Sequence, residues 1–315
     1  MNELPGGIPN MFSPRGIAAR HLATLGWVLI VISIIVLILV LIALLVPVAR
    51  NRQEESQGES RYDAHEHTFV LVVGAAIPAL ILLGVFLYSM KDIGLWEFGD
   101  HSTADIEVIG HQFWWEVRYP DLGIRTANEI HIPSGTRVKI ALMSSDVIHS
   151  FWVPQLHGKL DLIPGRVNRF WIEADSAGQY RGECAEFCGP QHAHMDFTVV
   201  AMPRADFSRW AAAQQQSARP PVNSVALAGR RAFQSAGCAS CHTVNGDGAV
   251  GRVGPDLTHF ASRLTIGAGM LPNTRGYLAG WVVGAQHIKP GIAMPNVPLS
   301  GEELQTVLAY LEGLR

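Results

Sequence analysis

The chain has 315 residues, which is long enough for two domains of ordinary size. Its net charge of −3 argues against nucleic acid as a partner. The four cysteines form two close pairs, Cys184/Cys188 and Cys238/Cys241. Neither spacing is typical of a disulfide framework, and each favours a ligand or attachment motif.

Two apolar segments lie near the N-terminus. Residues 26–48 and 68–90 contain no charged residue, and each is about long enough to cross a bilayer core of roughly 30 Å. They predict a transmembrane hairpin within an N-terminal region of residues 1–94, joined by a short charged loop. Residues 1–25 lack a compact apolar core followed by a small-residue cleavage site, so we expect no conventional cleaved signal peptide.

Residues 95–205 change in character. Short segments rich in β-branched and aromatic residues alternate with turns, a pattern that predicts an antiparallel β-sandwich or barrel. The predicted strands cover residues 106–108, 113–119, 137–143, 147–153, 169–172 and 197–201. Residues 206–221, rich in Ala, Gln and Pro, predict a linker. Residues 222–315 predict a second soluble domain, with helices at 226–236 and 301–314.

One loop of the first soluble domain concentrates metal-binding groups. It contains two thiols, a carboxylate, an imidazole and a thioether, which belong to Cys184, Glu186, Cys188, His192 and Met195. Thiolate, thioether and imidazole ligands select copper, zinc or iron–sulfur, and a weakly bound Met favours copper that carries electrons. His149, at a predicted strand end, supplies a further imidazole, and Asp146 is placed to orient it. A zinc site is the alternative, although zinc would not need Met195.

The second soluble domain carries an attachment sequence for c-type haem. Residues 238–242 read C-x-x-C-H, so the thiols of Cys238 and Cys241 would form thioethers and His242 would bind the iron. Met294, in a Pro-flanked loop, is the predicted second axial ligand; Met270 and His287 are the alternatives. Ligation by Met and His raises the haem potential, which suits donation to copper.

The loop of residues 184–195 resembles the dinuclear copper (CuA) site of cytochrome c oxidase subunit II. The similarity extends over residues 145–151, 163–168 and 178–182, and with the hairpin it spans roughly residues 20–205. Residues 222–315 resemble class I cytochrome c. The resemblance therefore implies an N-terminal transmembrane α-hairpin, a cupredoxin-type domain and an all-α cytochrome c domain.

This resemblance also implies roles for individual residues. Cys184 and Cys188 would bridge two copper ions. His149 and Met195 would complete one ion, and His192 with the backbone carbonyl of Glu186 would complete the other. The Glu186 side chain would reach a magnesium ion shared with the large oxidase subunit.

Two positions depart from the family pattern. Phe113 stands where the family has the Trp through which electrons arrive from soluble cytochrome c, so that role is not transferred. Trp114 and Trp115 are candidates for an electron pathway, although simple packing explains them equally well. Relatives often carry a Glu two turns before the helix proline; here Leu71 and apolar neighbours fill that region. Glu66 is the nearest candidate for proton uptake.

The resemblance implies subunit II of a cytochrome-c-fused (caa-type) haem–copper oxidase. Electrons would come from cytochrome c or from a quinol:cytochrome c reductase. They would pass through haem c and the dinuclear copper to haem a of subunit I, which reduces oxygen to water, and further subunits are expected. The electron-input subunit of a copper-containing nitric oxide reductase and a non-catalytic membrane electron carrier are the alternatives.

The location follows from the haem and from the hairpin. Haem c is attached outside the bacterial cytoplasmic membrane, and an even number of spans puts the N-terminus on the same side. The basic residues of the charged loop also favour, weakly, a cytoplasmic loop. We therefore expect a multi-pass inner-membrane protein with both termini and both redox domains on the periplasmic side. An acidic excess in residues 95–205 and a basic excess in residues 222–315 would favour contact between the two domains.

Overall fold

The computed structural model describes residues 10–50, 64–90 and 103–315. Internal contacts divide the chain into two compact units. One unit contains residues 21–97, and the other contains residues 1–20 together with residues 98–315. The two units are described separately.

The smaller unit consists of apolar helices. Helix α1 covers Ile17–Arg50, and its first residues belong to the larger unit. Helix α2 (Ala64–Leu71) continues through one π-helical turn (Val72–Ala76) into α3 (Ile77–Met90). Ile17–Val46 and His67–Met90 are long and apolar enough to cross a membrane.

Two features of these helices differ from the sequence prediction. Helix α1 begins nine residues before Gly26, because the Ala-containing segment from Ile17 onwards favours helix although it is less apolar. The π-helical turn ends two residues before Pro78, whose ring and missing N–H disturb regular α-helical bonding. The charged loop of residues 51–63 lies outside the described residues. Glu66 belongs to α2, but its side chain lies outside the described part of the structure.

Two five-stranded sheets form a sandwich in the larger unit. The first has the order β3-β2-β1-β5-β8 and the second the order β4-β10-β9-β6-β7. The strands are β1 (Ile106–His111), β2 (Trp114–Tyr119), β3 (Ile124–Ala127), β4 (Glu129–Pro133), β5 (Val138–Ser144), β6 (His149–Trp152), β7 (Leu160–Leu162), β8 (Asn168–Ile172), β9 (Gly178–Cys184) and β10 (Asp196–Met202). Six pairings are antiparallel, whereas β1/β5 and β4/β10 are parallel.

Aromatic and branched side chains fill the space between the sheets. Trp115, Phe151 and Phe197 are buried there and contact one another in edge-on or stacked pairs. Such rings bury large apolar areas and restrict the packing to a few geometries. The core therefore fixes β2, β6 and β10 relative to one another, and His149 and Met195 lie on or beside two of these strands.

The segment predicted as a linker is partly helical. Helix α4 covers Arg204–Gln214 and packs on the sandwich, with Trp210 stacked on His131 at 4.2 Å between ring centroids. The Ala-rich composition favours helix, and the aromatic contact anchors it. Residues following α4 bind the C-terminal domain, because His259 Nε2 lies 3.0 Å from the Gln216 carbonyl oxygen.

The C-terminal domain is mainly helical. Its helices are α5 (Ser224–Ser235), α6 (Cys238–Cys241), α7 (Arg275–Ile288) and α8 (Gly301–Leu311), with two-residue strands β11 to β14 at Thr243–Val244, Ala249–Val250, Thr265–Ile266 and Leu271–Pro272. Helices α5 and α8 pack closely through Gly229, where a Cβ atom would lie 1.8 Å from the Thr306 carbonyl oxygen. Asn223 caps α5, and Ser300 with Glu303 forms a capping box on α8.

Candidate copper and haem sites

The copper-binding candidates come from one strand end and one loop. Strand β6 begins at His149, and β9 ends at Cys184. Cys188 follows in the loop, His192 begins a 3₁₀ turn, and Met195 directly precedes β10. The pairing of β6 with β9 places His149 two residues from the Phe151 that pairs with Cys184.

The candidate donor atoms lie close together. The two sulfurs of Cys184 and Cys188 are 3.8 Å apart, and His149 Nδ1 is 3.9 Å from Cys184 Sγ. Cys188 Sγ lies 3.8 Å from both His192 Nδ1 and Met195 Sδ. The fold therefore brings every side chain predicted to bind copper into one cluster.

Four of the five side chains in this cluster are buried, and His192 is partly exposed. His149 and Met195 are fully buried, and both cysteines are less than a tenth exposed. Its donors are soft thiols and a thioether beside imidazoles, a set that suits copper. The Glu186 carbonyl oxygen is 3.3 Å from Cys184 Sγ, so the loop also brings a backbone oxygen to the cluster.

His149 is held in one orientation. Its Nε2 lies 2.8 Å from Asp146 Oδ1, and a Cβ atom at Gly110 would lie only 2.6 Å from its ring. Burial opposes protonation of His149, but its bonds to Cys184 and Asp146 outweigh this and raise its pKa. A carboxylate on one ring nitrogen leaves the other nitrogen directed at the sulfurs, as is usual for metal-binding histidines.

The environment of Cys184 favours its deprotonated form. The hydrogen bond from Cys188 lowers the pKa of the Cys184 thiol far below its ordinary value, although burial acts in the opposite direction. His149 and backbone groups of the loop contribute to the same lowering. Because thiolate is the metal-binding form of cysteine, this environment prepares Cys184 for a cation.

Two other polar side chains of the loop face outward, whereas Gln191 is buried. Glu186 is exposed, and its Oε2 lies 3.6 Å from Lys159 Nζ. His194 is also exposed, with Nδ1 3.0 Å from Gln191 Oε1. The loop therefore separates an inner cluster from an outer carboxylate.

A cavity of about 430 Å³ occupies the C-terminal domain. Its wall includes all four residues predicted to hold haem, namely Cys238, Cys241, His242 and Met294. The other predicted axial candidates, Met270 and His287, are not among its described lining residues. An apolar hollow beside a C-x-x-C-H sequence fits a covalently attached haem.

His242 is fixed in the wall of this cavity. Its Nδ1 lies 2.8 Å from the Pro255 carbonyl oxygen, and a Cβ atom at Gly254 would lie 2.6 Å from the ring. Burial lowers the pKa of His242 and so favours the neutral imidazole, the form that binds metal.

Three consecutive aromatic residues lie near the two sites. Phe113 and Trp114 line the haem cavity, and Trp114 stacks on His111 at 4.4 Å. Trp115 points to the other face of β2, where its Nε1 donates to the Met195 carbonyl oxygen at 3.2 Å. Strand alternation could have predicted these opposite directions. The place of Phe113 in the haem wall could not be predicted, because it depends on how the two domains meet.

Comparisons with known proteins agree with these features. The family model for the periplasmic domain of cytochrome c oxidase subunit II matches residues 123–202, and that for cytochrome c matches residues 226–315. Cytochrome c oxidase subunit 2 of Alkalihalophilus pseudofirmus is 36% identical over 277 residues, covering 85% of this chain and 80% of that protein. The chain belongs to the cytochrome c oxidase subunit II family.

Other proteins of this family are also similar to the chain in sequence. Cytochrome c oxidase subunit 2 of Bacillus subtilis is 33% identical over 273 residues, covering 78% of this chain and 75% of that protein. The solved periplasmic domain of subunit II of cytochrome oxidase (CoxB) of Bradyrhizobium japonicum is 29% identical, with a TM-score of 0.35. It covers 36% of this chain and 96% of that chain.

The subunit therefore has an electron-input role in a cytochrome c oxidase and partners an oxidase subunit I. It is a membrane protein with a periplasmic domain, and its two soluble domains require copper and haem. The buried cluster of thiols, imidazoles and thioether suits copper, and the lined cavity suits haem.

Proposed function

We propose that this subunit accepts electrons from an external donor at its cytochrome c domain and passes them through its copper domain to haem a of subunit I, where oxygen is reduced to water. Cytochrome c or a quinol:cytochrome c reductase is the proposed donor. When bound, haem c and copper supply one-electron redox chemistry. The chain's own residues hold these groups, exclude water and set the distance between them.

The copper site is proposed to hold two ions. Two thiols 3.8 Å apart, each with its own imidazole at 3.8–3.9 Å, support a pair of metal positions bridged by Cys184 and Cys188. His149 and Met195 would complete one position, and His192 with the Glu186 carbonyl the other. A single tetrahedral zinc would leave part of this donor set unused.

Met294 is proposed as the second axial ligand of haem c. Met294 lines the same cavity as the attachment sequence. His287 is not among the described residues that line it, and its Nδ1 lies 3.2 Å from Asn296 Nδ2. The sulfur of Met294 would raise the haem potential, which favours electron flow towards copper.

The residues between the sites support an electron route within the chain. Gln112, which also lines the haem cavity, donates to the Cys188 carbonyl oxygen at 2.6 Å. Phe113 and Trp114 contribute to the same wall. This hydrogen bond joins the haem wall to the copper loop, so a soluble donor need not reach the copper domain directly.

Three finer points belong to the same proposal. The exposed Glu186 carboxylate is proposed to bind magnesium together with subunit I. Both termini and both redox domains are proposed to lie on the periplasmic side of the bacterial cytoplasmic membrane, with two membrane-spanning helices. Glu66 remains a proposed site of proton uptake.

An electron paramagnetic resonance spectrum tests the central part of the proposal. The oxidised, metal-loaded oxidase should contain two copper ions per copy of this subunit and show a mixed-valence signal from one electron shared by both. A spectrum of one isolated copper ion, or a zinc content in place of copper, would contradict the proposed site.

A further inference from the structure

Lys289 is buried between the copper domain and the cytochrome c domain. It follows the last residue of α7 and precedes the loop that carries Met294. Only 1% of its surface is exposed, and it lies in the wall of the haem cavity. Lysines are almost never fully buried unless their ammonium group is paired, so this position calls for an explanation.

The ammonium group of Lys289 is bound by three backbone carbonyls. Nζ donates to the carbonyl oxygens of His194 at 2.6 Å, Gly267 at 2.8 Å and Phe113 at 3.0 Å. An ammonium group has three donors, so these three bonds satisfy it completely. Gly267 belongs to the cytochrome c domain, whereas Phe113 and His194 belong to the copper domain.

Of the two partners in the copper domain, His194 belongs to the metal loop and Phe113 lies beside it. His194 directly precedes Met195, whose sulfur is in the copper cluster. Phe113 follows Gln112, which donates to the Cys188 carbonyl oxygen. Lys289 therefore connects the haem-side loop to the two backbone segments that border the copper cluster.

Other bonds cross the same boundary. Gln191 Nε2 donates to the Pro290 carbonyl oxygen at 2.9 Å, and the Asp196 amide donates to the Ala268 carbonyl oxygen at 3.0 Å. At another point the Leu264 amide donates to Glu129 Oε1 at 2.6 Å. Together with the bonds of Lys289, these bonds indicate an interface with several points of contact.

We propose that Lys289 is a positioning residue that holds the cytochrome c domain in one docked position on the copper domain, so that electrons cross between them without a separate encounter. The proposal rests on the function proposed above. A flexible tether alone would raise the effective concentration of one domain near the other. A docked interface does more, because it fixes the distance between the centres, and electron tunnelling falls steeply with distance.

The three carbonyl oxygens bound by Lys289 explain why its loss would weaken docking. Without Lys289, three buried carbonyl oxygens would lose their shared donor, and buried acceptors without a partner are costly. Separation of the domains would return those oxygens to water. The docked state would thus lose its advantage over the undocked state, while each domain's own core would stay intact.

The test compares Lys289→Leu with Lys139→Leu in the complete oxidase. Leucine removes the donors and cannot bind haem iron, as a methionine in the cavity wall could. Lys139 is an exposed lysine on β5 and serves as the matched control. Two quantities are measured: hydrogen exchange of the Asp196 and Leu264 amides, and the rate of electron transfer from photoreduced haem c to copper.

The expected result is specific to Lys289→Leu. Both amides should exchange roughly tenfold faster or more, and electron transfer between the centres should slow by at least about tenfold. The haem and copper spectra and the rate at which the external donor reduces the haem should stay unchanged. A role confined to the haem pocket would alter the haem spectrum and leave the amides protected.

A second variant covers the case in which Lys289→Leu loses haem or copper. A Cβ atom at Gly269 would lie 2.6 Å from Asp196 Cβ, and the backbone there has φ of +80°. Gly269→Ala should therefore open the interface from another point and give the same two changes. Unchanged exchange and unchanged transfer in both variants would overturn the proposal.

The outcomes also separate this inference from the proposed function. If haem c never reduces copper in the unaltered protein, the proposed electron route fails, whatever the exchange data show. If haem c reduces copper at the same rate in Lys289→Leu and Gly269→Ala as in the unaltered protein, only the docking role fails.

Discussion

The copper loop and the haem pocket are built in opposite ways. Four of the predicted copper-binding side chains lie within residues 184–195, and their donor atoms already contact one another. The haem pocket is a cavity of about 430 Å³ whose wall draws on residues from Phe233 to Leu311 and on the copper domain. A small ion can be held by one preformed loop, whereas a large cofactor must complete a core. Losing copper should therefore be a local event, and losing haem a domain-wide one.

The largest expected effect is on copper itself. Cys184→Ser replaces a soft thiolate with a hydroxyl that stays protonated at neutral pH, and it removes one of the two sulfurs proposed to bridge the copper ions. We expect complete loss of the copper absorption bands with haem c bands unchanged. Optical spectra and metal content of the purified oxidase measure both.

The matched control is Cys238→Ser, which removes one proposed thioether to the haem. It should leave the copper bands intact but loosen the C-terminal domain, since a partly attached haem fills the cavity less securely. Hydrogen exchange should then rise across α5 and α8 rather than at one loop. If either variant lost both the copper bands and the haem c bands, the copper loop and the haem pocket would not be independent sites.

A smaller effect should follow from the residue that orients His149. Asp146 Oδ1 lies 2.8 Å from His149 Nε2, and Oδ2 accepts from the Gln112 amide at 2.6 Å. Asp146→Asn provides only one acceptor oxygen, so one of these bonds is lost. We expect copper affinity to fall about 10–100-fold, as is typical when such a supporting group is changed. Competition with a copper chelator measures this.

The control for Asp146→Asn is Asp121→Asn, in an exposed 3₁₀ turn of the same domain. It should leave copper affinity unchanged. If Asp146→Asn also retained full affinity, the orientation of His149 would have to come from packing against Gly110 and Trp115 instead.

The fold class predicted from the sequence is confirmed, whereas the copper-binding residues remain a prediction for which the structure supplies a close grouping of donor atoms. Cys184, Cys188, His192 and Met195 are neighbours in sequence, and their side-chain chemistry is distinctive. The wall of the haem cavity contains Met294, as the flanking prolines indicated. These ligand assignments remain predictions, but the chain does bring the residues together.

Other elements could not be predicted, for physical reasons. Helix α7 contains Gly276, Gly280 and Gly284, which weaken its helical pattern. Helix α4 has an Ala- and Gln-rich composition that also occurs in linkers, and its aromatic contacts with His131 and Tyr119 distinguish it. Lys289 has no sequence signal, since its partners are backbone carbonyls of residues far along the chain.

A further expected effect concerns acid stability, and it should be confined to the copper domain. Glu116 on β2 is buried and binds Arg118, Arg125 and His111. Burial alone would raise its pKa, but the hydrogen bonds to His111 and Arg118 and the charges of Arg125 and Arg118 together lower it from 4.5 to about 2. A lowered folded-state pKa adds stability above the unfolded value, and that stability is lost as pH falls towards 2. The shift corresponds to about 3 kcal/mol at neutral pH.

Glu116→Gln should therefore destabilise strands β1 and β2 by roughly that amount near pH 7, and by less as pH falls from 4.5 towards 2. Hydrogen exchange of the strand amides in wild type and variant, compared at the same pH, measures the difference. Glu107→Gln on β1 is the control and should show no such trend. The amides of α5 and α8 should be indifferent to Glu116→Gln at every pH. If the α5 and α8 amides responded equally, the two domains would unfold together. The difference between the copper loop and the haem pocket would then apply to ligand binding and not to stability.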